Sequence, residues 1–236
     1  MTKFTSKPFY FFLSLIVFIK GCDNHSKNID PIKGFELVAL KLEDAINYEI
    51  KSKNLNAISM VLVDDQKIAW AKGFGYEDPK RKIKADANTV YRVGSVSKLF
   101  TDMAIMQRVE KGEIDLDEPI QTYLPNFNPL NPYKTPITLR QMMSHRSGLL
   151  REPRKGNYFT DDEISLKATV ESIIPSKLIH EPESKTKYSN AAIAVAGYTL
   201  EVLYQTPYVK YMQKHILEKI GMNNSAFAPN KKIISR

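Results

Sequence analysis

The chain has 236 residues, 43% hydrophobic and 25% charged, a composition that excludes a disordered or fibrous protein. Its formal net charge is +8, but the lysines are scattered, and removing Lys3, Lys7 and Lys20 of the N-terminal segment takes +8 to +5. No basic block marks a nucleic-acid surface, the single cysteine, Cys22, excludes an intramolecular disulfide, and no His/Cys/Asp spacing suggests a metal site. No nucleic-acid partner, metal or cofactor is therefore expected.

Lys3 and Lys7 form a basic start, and Pro8 to Ile19 is a run of twelve residues without charge. A membrane-spanning helix needs about 20 apolar residues, so this run fits the apolar core of a signal peptide instead. Lys20, Gly21 and Cys22 follow. A lone cysteine at this place resembles the lipidation site of a bacterial lipoprotein signal. That resemblance implies cleavage before Cys22, a lipid on Cys22, and an exported protein held to a membrane of the bacterial cell envelope, on its periplasmic or cell-surface side. The other reading is a plain secretory signal or short apolar anchor, with Cys22 incidental. The expected organisation is a signal over 1–22, a flexible tether over 23–33 and one domain over 34–236.

Within that domain, apolar residues at Phe35, Val38, Leu42, Ala45, Ile46 and Ile50 have helical spacing and predict an amphipathic helix over 34–53. Ala57 to Val63 and Lys67 to Phe74 read as a β-hairpin turning at Asp64-Asp65-Gln66, with Gly73 and Gly75 loosening its end. Residues 76–88 read as a polar loop. Val96 to Val109 is an apolar helix that Gly112 ends. Residues 113–125 are loop with a short helix. A second short helix follows Thr138, its N-cap. Residues 151–160 read as an exposed loop, and Asp161 or Asp162 as the cap of a helix running to Ile174. Tyr188 to Tyr204 and Val209 to Ile220 are two more helices, the second closed by Gly221. Helices that must pack on a hairpin give an α/β (α+β) fold, an antiparallel sheet flanked by helices with a helical subdomain. A hairpin alone does not make a stable sheet. The expectation is therefore a chain truncated after its helical part, with the sheet unfinished.

One stretch carries chemistry. Gly94 leads into Ser95, and Lys98 follows one helical turn later on the same face. A serine hydroxyl, an amine able to take its proton, and helix N-terminal N–H groups make a nucleophile site. Burial of Lys98 would keep the amine neutral. The bland reading is a cap serine with a surface lysine. Ser184 and Lys187 repeat the spacing in a polar loop and read as a solvated turn. Tyr188 and Asn190 open the later small-residue helix. A tyrosine there can act as a general acid or base if cations stabilise its phenolate, and Asn190 can orient a substrate amide.

The blocks Gly94-Ser-Val-Ser-Lys98, Lys111 to Pro119, Tyr123-Leu-Pro125, Thr138 to Leu149, Tyr188-Ser-Asn190 and Gly221 to Phe227 occur in the order of one family. Together with the hairpin they resemble the class C β-lactamases and the serine hydrolases related to penicillin-binding proteins. The resemblance runs from about residue 35 onward. It implies a β-lactamase/transpeptidase-like fold, Ser95 as the acylated nucleophile, Lys98 and Tyr188 sharing the proton transfers, and Asn190 holding the substrate amide. It implies a β-lactam, a D-Ala-D-Ala peptide or another peptidoglycan-like or small-molecule amide or ester as substrate. His145 would fix a loop, and His25, His180 and His215 would lie at the surface. The family's third motif, Lys-Thr-Gly or His-x-Gly, does not occur in these 236 residues. The alternative is therefore a catalytically inactive lipoprotein retaining the first two motifs.

Overall fold

The computed structural model describes residues 28–157 and 164–230. The signal over 1–22, Cys22, His25, and the proposed caps Asp161 and Asp162 lie outside the described residues. The described chain divides into two compact units that meet in sequence at Thr89 and Val90. The expected 34–236 domain thus comprises a sheet unit and a helical unit.

The first unit holds α1 (Glu36–Lys53), β1 (Ala57–Asp64), β2 (Lys67–Asp78) and the short β3 (Ile83–Lys84). The strands form an antiparallel sheet in the order β1-β2-β3. Asp65 and Gln66 make the hairpin turn with φ of 41° and 62°, the left-handed pair that matches the strand twist. Ala39 and Ile46 of α1 meet Trp70 and Phe74 of β2 in a small core, flanked by Leu42, Ile50, Ile58, Met60 and Leu62. These α1 positions follow the 3.6-residue period, which is why the sequence pattern found the helix.

Two expectations need correction here. Part of the supposed tether is fixed: Ile29 and Ala71 exchange backbone hydrogen bonds of 2.7 and 3.0 Å, and Ile32 N–H donates to the Ala69 carbonyl at 2.9 Å. An unpaired stretch of β2 offers N–H and C=O groups, and a passing polar segment satisfies them. Gly73 and Gly75 do not loosen the hairpin. β2 runs on to Asp78, and a Cβ on Gly73 would stand 2.4 Å from the Asp86 backbone. The glycine lets two backbones pass.

The second unit is helical: α2 (Ser97–Glu110), α3 (Leu139–Met143), α4 (Leu166–Glu171), α5 (Asn190–Tyr204) and α6 (Tyr208–Met212). A 3₁₀ turn, Gly94–Val96, leads into α2, and α6 runs into a π turn over Gln213–Leu217. α5 is the centre. Ala191, Ala192, Val195, Ala196 and Leu200 are buried, so it is apolar on most sides, and α2, α3, α4 and α6 pack against it. Ile105, Leu139, Met142, Leu149, Ile173 and Met212 fill the rest of this core. Buried Arg108 is stacked against Tyr204 and Tyr211, at 4.3 and 5.3 Å from their ring centres, and its Nη1 pairs with Glu113 at 3.2 Å. Thr138 caps α3 as expected, in a full capping box with Gln141.

Other elements differ from expectation. Ser165 caps α4, its hydroxyl accepting from Ala168 N–H at 3.2 Å. His180 is buried, 7% exposed, with Nδ1 donating to the Glu181 carbonyl at 2.8 Å. His215 is half-buried against the Tyr211 ring. The segment after Leu150 is not merely an exposed loop: Pro153 is buried, and Arg151 and Glu152 hold the start of α5.

Candidate active site

Ser95 lies in the 3₁₀ turn, where Gly94 takes φ of 53°, a left-handed value suited to glycine. Lys98 sits in the first turn of α2, half-buried rather than enclosed. Lys98 Nζ donates to Ser95 Oγ at 3.1 Å, and Ser95 Oγ shares a 2.6 Å hydrogen bond with Tyr188 OH. The three side chains come together from two elements far apart in sequence.

Tyr188 is placed by what surrounds it. Ser189 is the N-cap of α5: its Oγ accepts from Ala192 N–H at 2.9 Å and donates to the Leu150 carbonyl at 2.6 Å. His145, at φ of 60°, accepts Lys187 N–H on its carbonyl at 2.8 Å and Ser189 N–H on Nδ1 at 3.3 Å. Its ring lies 4.4 Å from the Tyr188 ring. Burial first, then the Lys98 charge, hold the His145 imidazole below its ordinary pKa, so it stays neutral and Nδ1 can accept. This is the loop-fixing placement expected of His145.

Two cations face the Tyr188 ring, Lys98 Nζ at 5.0 Å and the Arg151 guanidinium at 5.3 Å. Burial pushes the Tyr188 phenol up, but the Lys98 ammonium, the Ser95 hydroxyl and the Arg151 charge outweigh it and hold it below the ordinary tyrosine value. A phenol so placed gives up its proton more readily, and the resulting phenolate is an acceptor within hydrogen-bond reach of the Ser95 hydroxyl.

Asn190 opens α5. Its N–H donates to the Arg151 carbonyl at 2.7 Å, and its Nδ2 donates to Glu152 Oε1 at 2.7 Å. Ser95, Lys98, Glu152, Asn190, Glu201 and Tyr208 line one open cavity of about 740 Å³. The second Ser-x-x-Lys pair is a solvated turn: Ser184 is exposed, and its hydroxyl donates to the Glu181 carbonyl at 2.6 Å.

Three residues at the site escaped sequence reading. Asp102 lies one turn beyond Lys98 on α2, and its Oδ1 is buried without a hydrogen-bond partner among the described residues. The i, i+4 spacing from Lys98 was the available signal. Arg151 and Glu152 gave none, because they act on α5 across the fold. Among the described residues no group of His, Cys, Asp or Glu is arranged to hold a metal ion.

Comparison with known proteins identifies the family and the fold. The Beta-lactamase family model matches residues 42–236. Beta-lactamase-like protein 2 of Dictyostelium discoideum is 31% identical across 96% of this chain and 43% of its own length. Protein flp of Staphylococcus aureus (strain MRSA252) is 25% identical across 80% of this chain and 38% of its own length. The chain spans about two fifths of the length of these curated relatives. Among solved structures, the octameric penicillin-binding protein homologue from Pyrococcus abyssi is 27% identical with a TM-score of 0.69, over 78% of this chain and 43% of that one. The Beta-lactamase/D-alanine Carboxypeptidase from Yersinia pestis is 22% identical with a TM-score of 0.72, over 84% of this chain and 58% of that one, a likeness of fold. The chain belongs to the Beta-lactamase family of serine hydrolases and has the β-lactamase/penicillin-binding-protein fold.

Proposed function

We propose that this protein is a serine hydrolase acting through an acyl-Ser95 intermediate on a β-lactam, a D-Ala-D-Ala peptide, an amide or an ester. The observation that supports it most is the position of Ser95 Oγ, bonded at once to Lys98 Nζ at 3.1 Å and to Tyr188 OH at 2.6 Å. In the acylation step Ser95 Oγ attacks the substrate carbonyl carbon, and its proton passes into the Tyr188/Lys98 pair. The Ser95 N–H, at the start of the helix-entry turn, is a donor for the developing oxyanion. The carbonyl–leaving-group bond breaks, and the same pair returns the proton to the leaving atom. Water then attacks the ester, giving up a proton to the pair, and Ser95 leaves reprotonated. Lys98 and Tyr188 share these transfers, the ammonium favouring whichever oxygen carries charge. Asn190 Oδ1 holds a substrate N–H.

The Yersinia pestis neighbour is described as both a β-lactamase and a D-alanine carboxypeptidase, and the two substrate classes share an acyl carbonyl open to such an attack. The protein is further proposed to be exported and attached through lipidated Cys22 to a membrane of the cell envelope. Hydrolysis of a chromogenic cephalosporin and of a p-nitrophenyl ester by the expressed protein tests the reading. Turnover lost on Ser95→Ala and reduced at least 100-fold in Tyr188→Phe is expected, by analogy with loss of a triad-type proton carrier. Turnover that persists in Ser95→Ala overturns it.

A further inference from the structure

We propose that the arm of the Ser95 cavity running along α5 is a subsite for an apolar acyl chain, so that the protein favours esters and amides of carboxylic acids of about eight carbons over shorter ones. This rests on the reading of Ser95 as nucleophile and goes on to name the substrate class. Three cavity-lining residues of α5 set the direction of the arm: Asn190, Ala194 and Glu201. Residues i, i+4 and i+11 fall on one face of a helix, so the cavity follows α5 from its N-terminus. At 1.5 Å per residue, Asn190 to Glu201 spans about 16 Å. Asn190 stands at the Ser95 end, because Tyr188 just before it shares the 2.6 Å hydrogen bond with Ser95 Oγ. Gly197 lies on the same face. A Cβ there would stand 3.1 Å from the Tyr208 ring, so the glycine lets that ring lie close against α5. Tyr208 also lines the cavity, and its OH is tied to Thr101 Oγ1 at 2.7 Å.

The walls of the arm are apolar. Ile164 and Leu166 come from the entry of α4, Pro207 and Val209 from the entry of α6, and Ala194 from α5. Ala194 is half-buried between buried Ile193 and Val195, and its short side chain keeps the arm open. Polar side chains on these walls are already engaged: Ser165 Oγ caps α4, and Asn157 Nδ2 donates to the Pro153 carbonyl at 3.2 Å. Among the described residues that line the cavity, Lys98 is the one cation, and it is directed to Ser95 Oγ at 3.1 Å. An anionic chain finds no counter-charge along the arm, whereas methylene groups find carbon in place of water. Glu201, its Oε2 accepting Tyr208 N–H at 2.8 Å, ends the apolar stretch. The leaving atom must stand beside the Lys98/Tyr188 pair that returns its proton, so the acyl part is what reaches along α5. An extended chain advances about 1.2 Å per bond, a third of the extended residue repeat. Eight carbons therefore cover roughly 9 Å and stop short of the Glu201 carboxylate.

The test compares the second-order rates at which Ser95 of the full chain is phosphonylated by ethyl p-nitrophenyl butylphosphonate and by its octyl counterpart, read as p-nitrophenolate release and as the mass of the Ser95 peptide. Full burial of one methylene is worth about fourfold, and an open cavity realises about half of that free energy, about twofold. Four added methylenes should therefore speed labelling of the wild type about 10- to 20-fold. In Ala194→Phe, which fills the arm, the octyl-to-butyl ratio falls to about one. Val209→Asp puts a charge into the arm at a position 38% exposed in the first turn of α6, where an acidic residue suits the helix, and lowers the ratio to about threefold or less. Octyl labelling no faster than butyl labelling in the wild type, or a ratio that neither variant lowers, overturns the proposal and leaves the Ser95 reading intact. A wild-type chain that takes no label at Ser95, from these reagents or from a fluorophosphonate, overturns the Ser95 reading and this inference with it. Val209→Asp is a surface change, so it decides the matter even where Ala194→Phe fails to fold.

Discussion

Asp102 gives a stability prediction whose sign and size follow from its surroundings. Burial raises its carboxyl to about 6, and the Lys98 charge one turn away pulls it down without offsetting the burial. An Asp in the unfolded chain titrates near about 3.9. Below that value the group is protonated in both states and costs nothing. As pH rises from about 4 to about 6, the unfolded chain ionises first, so the folded state loses stability; above about 6 the loss is constant. The full shift corresponds to about 3 kcal/mol, and because Asp102 is only half-buried, solvent screening reduces this to about 1–2 kcal/mol. Asp102→Asn keeps the shape and removes the ionisation. It is expected to be more stable than the wild type by about 1–2 kcal/mol at pH 7.5 and within about 0.5 kcal/mol of it at pH 4. In urea, with a slope of about 1–3 kcal/mol per molar, the midpoint moves up by roughly 0.3–2 M. Far-UV circular dichroism is the right signal, because the one tryptophan, Trp70, reports on the sheet unit and not on α2. An Asp102→Asn chain less stable than the wild type at pH 7.5, or a difference of the same size at both pH values, refutes the reasoning.

Two further outcomes can be checked together. Thr138→Ala removes the half of the α3 capping box in which Thr138 Oγ1 accepts Gln141 N–H at 3.4 Å, and should cost about 1 kcal/mol in urea unfolding. The phenol of Tyr188 is held below its ordinary value, so the rate of Ser95 phosphonylation should rise with pH at values below the free tyrosine pKa of about 10. Tyr188→Phe should lose that rise, and a pH profile unchanged in Tyr188→Phe assigns the titration to another group.

What could be read from sequence was local and periodic. α1 was visible because its apolar residues recur at helical spacing, α5 because it is a long run of small apolar residues, and the hairpin because β-branched runs flank a short turn. Thr138 carried its cap signal three residues ahead of Gln141. What stayed hidden depends on groups distant in the chain. β3 has two residues and exists only because β2 offers Tyr76 and Asp78 as partners. Ile29 is ordered by Ala71, far beyond any local window. His180 lies where the chain passes close to Gly148, at which a Cβ would stand 2.3 Å from the His180 carbonyl, an approach 32 positions away in sequence. At the site, the Ser95 and Lys98 pair was visible as one helical turn. Its meeting with Tyr188 was implied only by resemblance, and Glu152 reaches Asn190 across 38 positions with no periodicity to announce it.

The claim at the centre is that Ser95, among all the serines of this chain, is the activated nucleophile. The most direct measurement is peptide mapping by mass spectrometry after brief exposure of the full chain to a fluorophosphonate and, separately, to a fluorescent penicillin. The account predicts one phosphonyl adduct, on the peptide carrying Ser95, formed by the wild type and absent in Ser95→Ala, with Ser97, Ser184 and Ser189 unmodified. An adduct on Ser184, or a Ser95→Ala chain labelled as fast as the wild type, contradicts it.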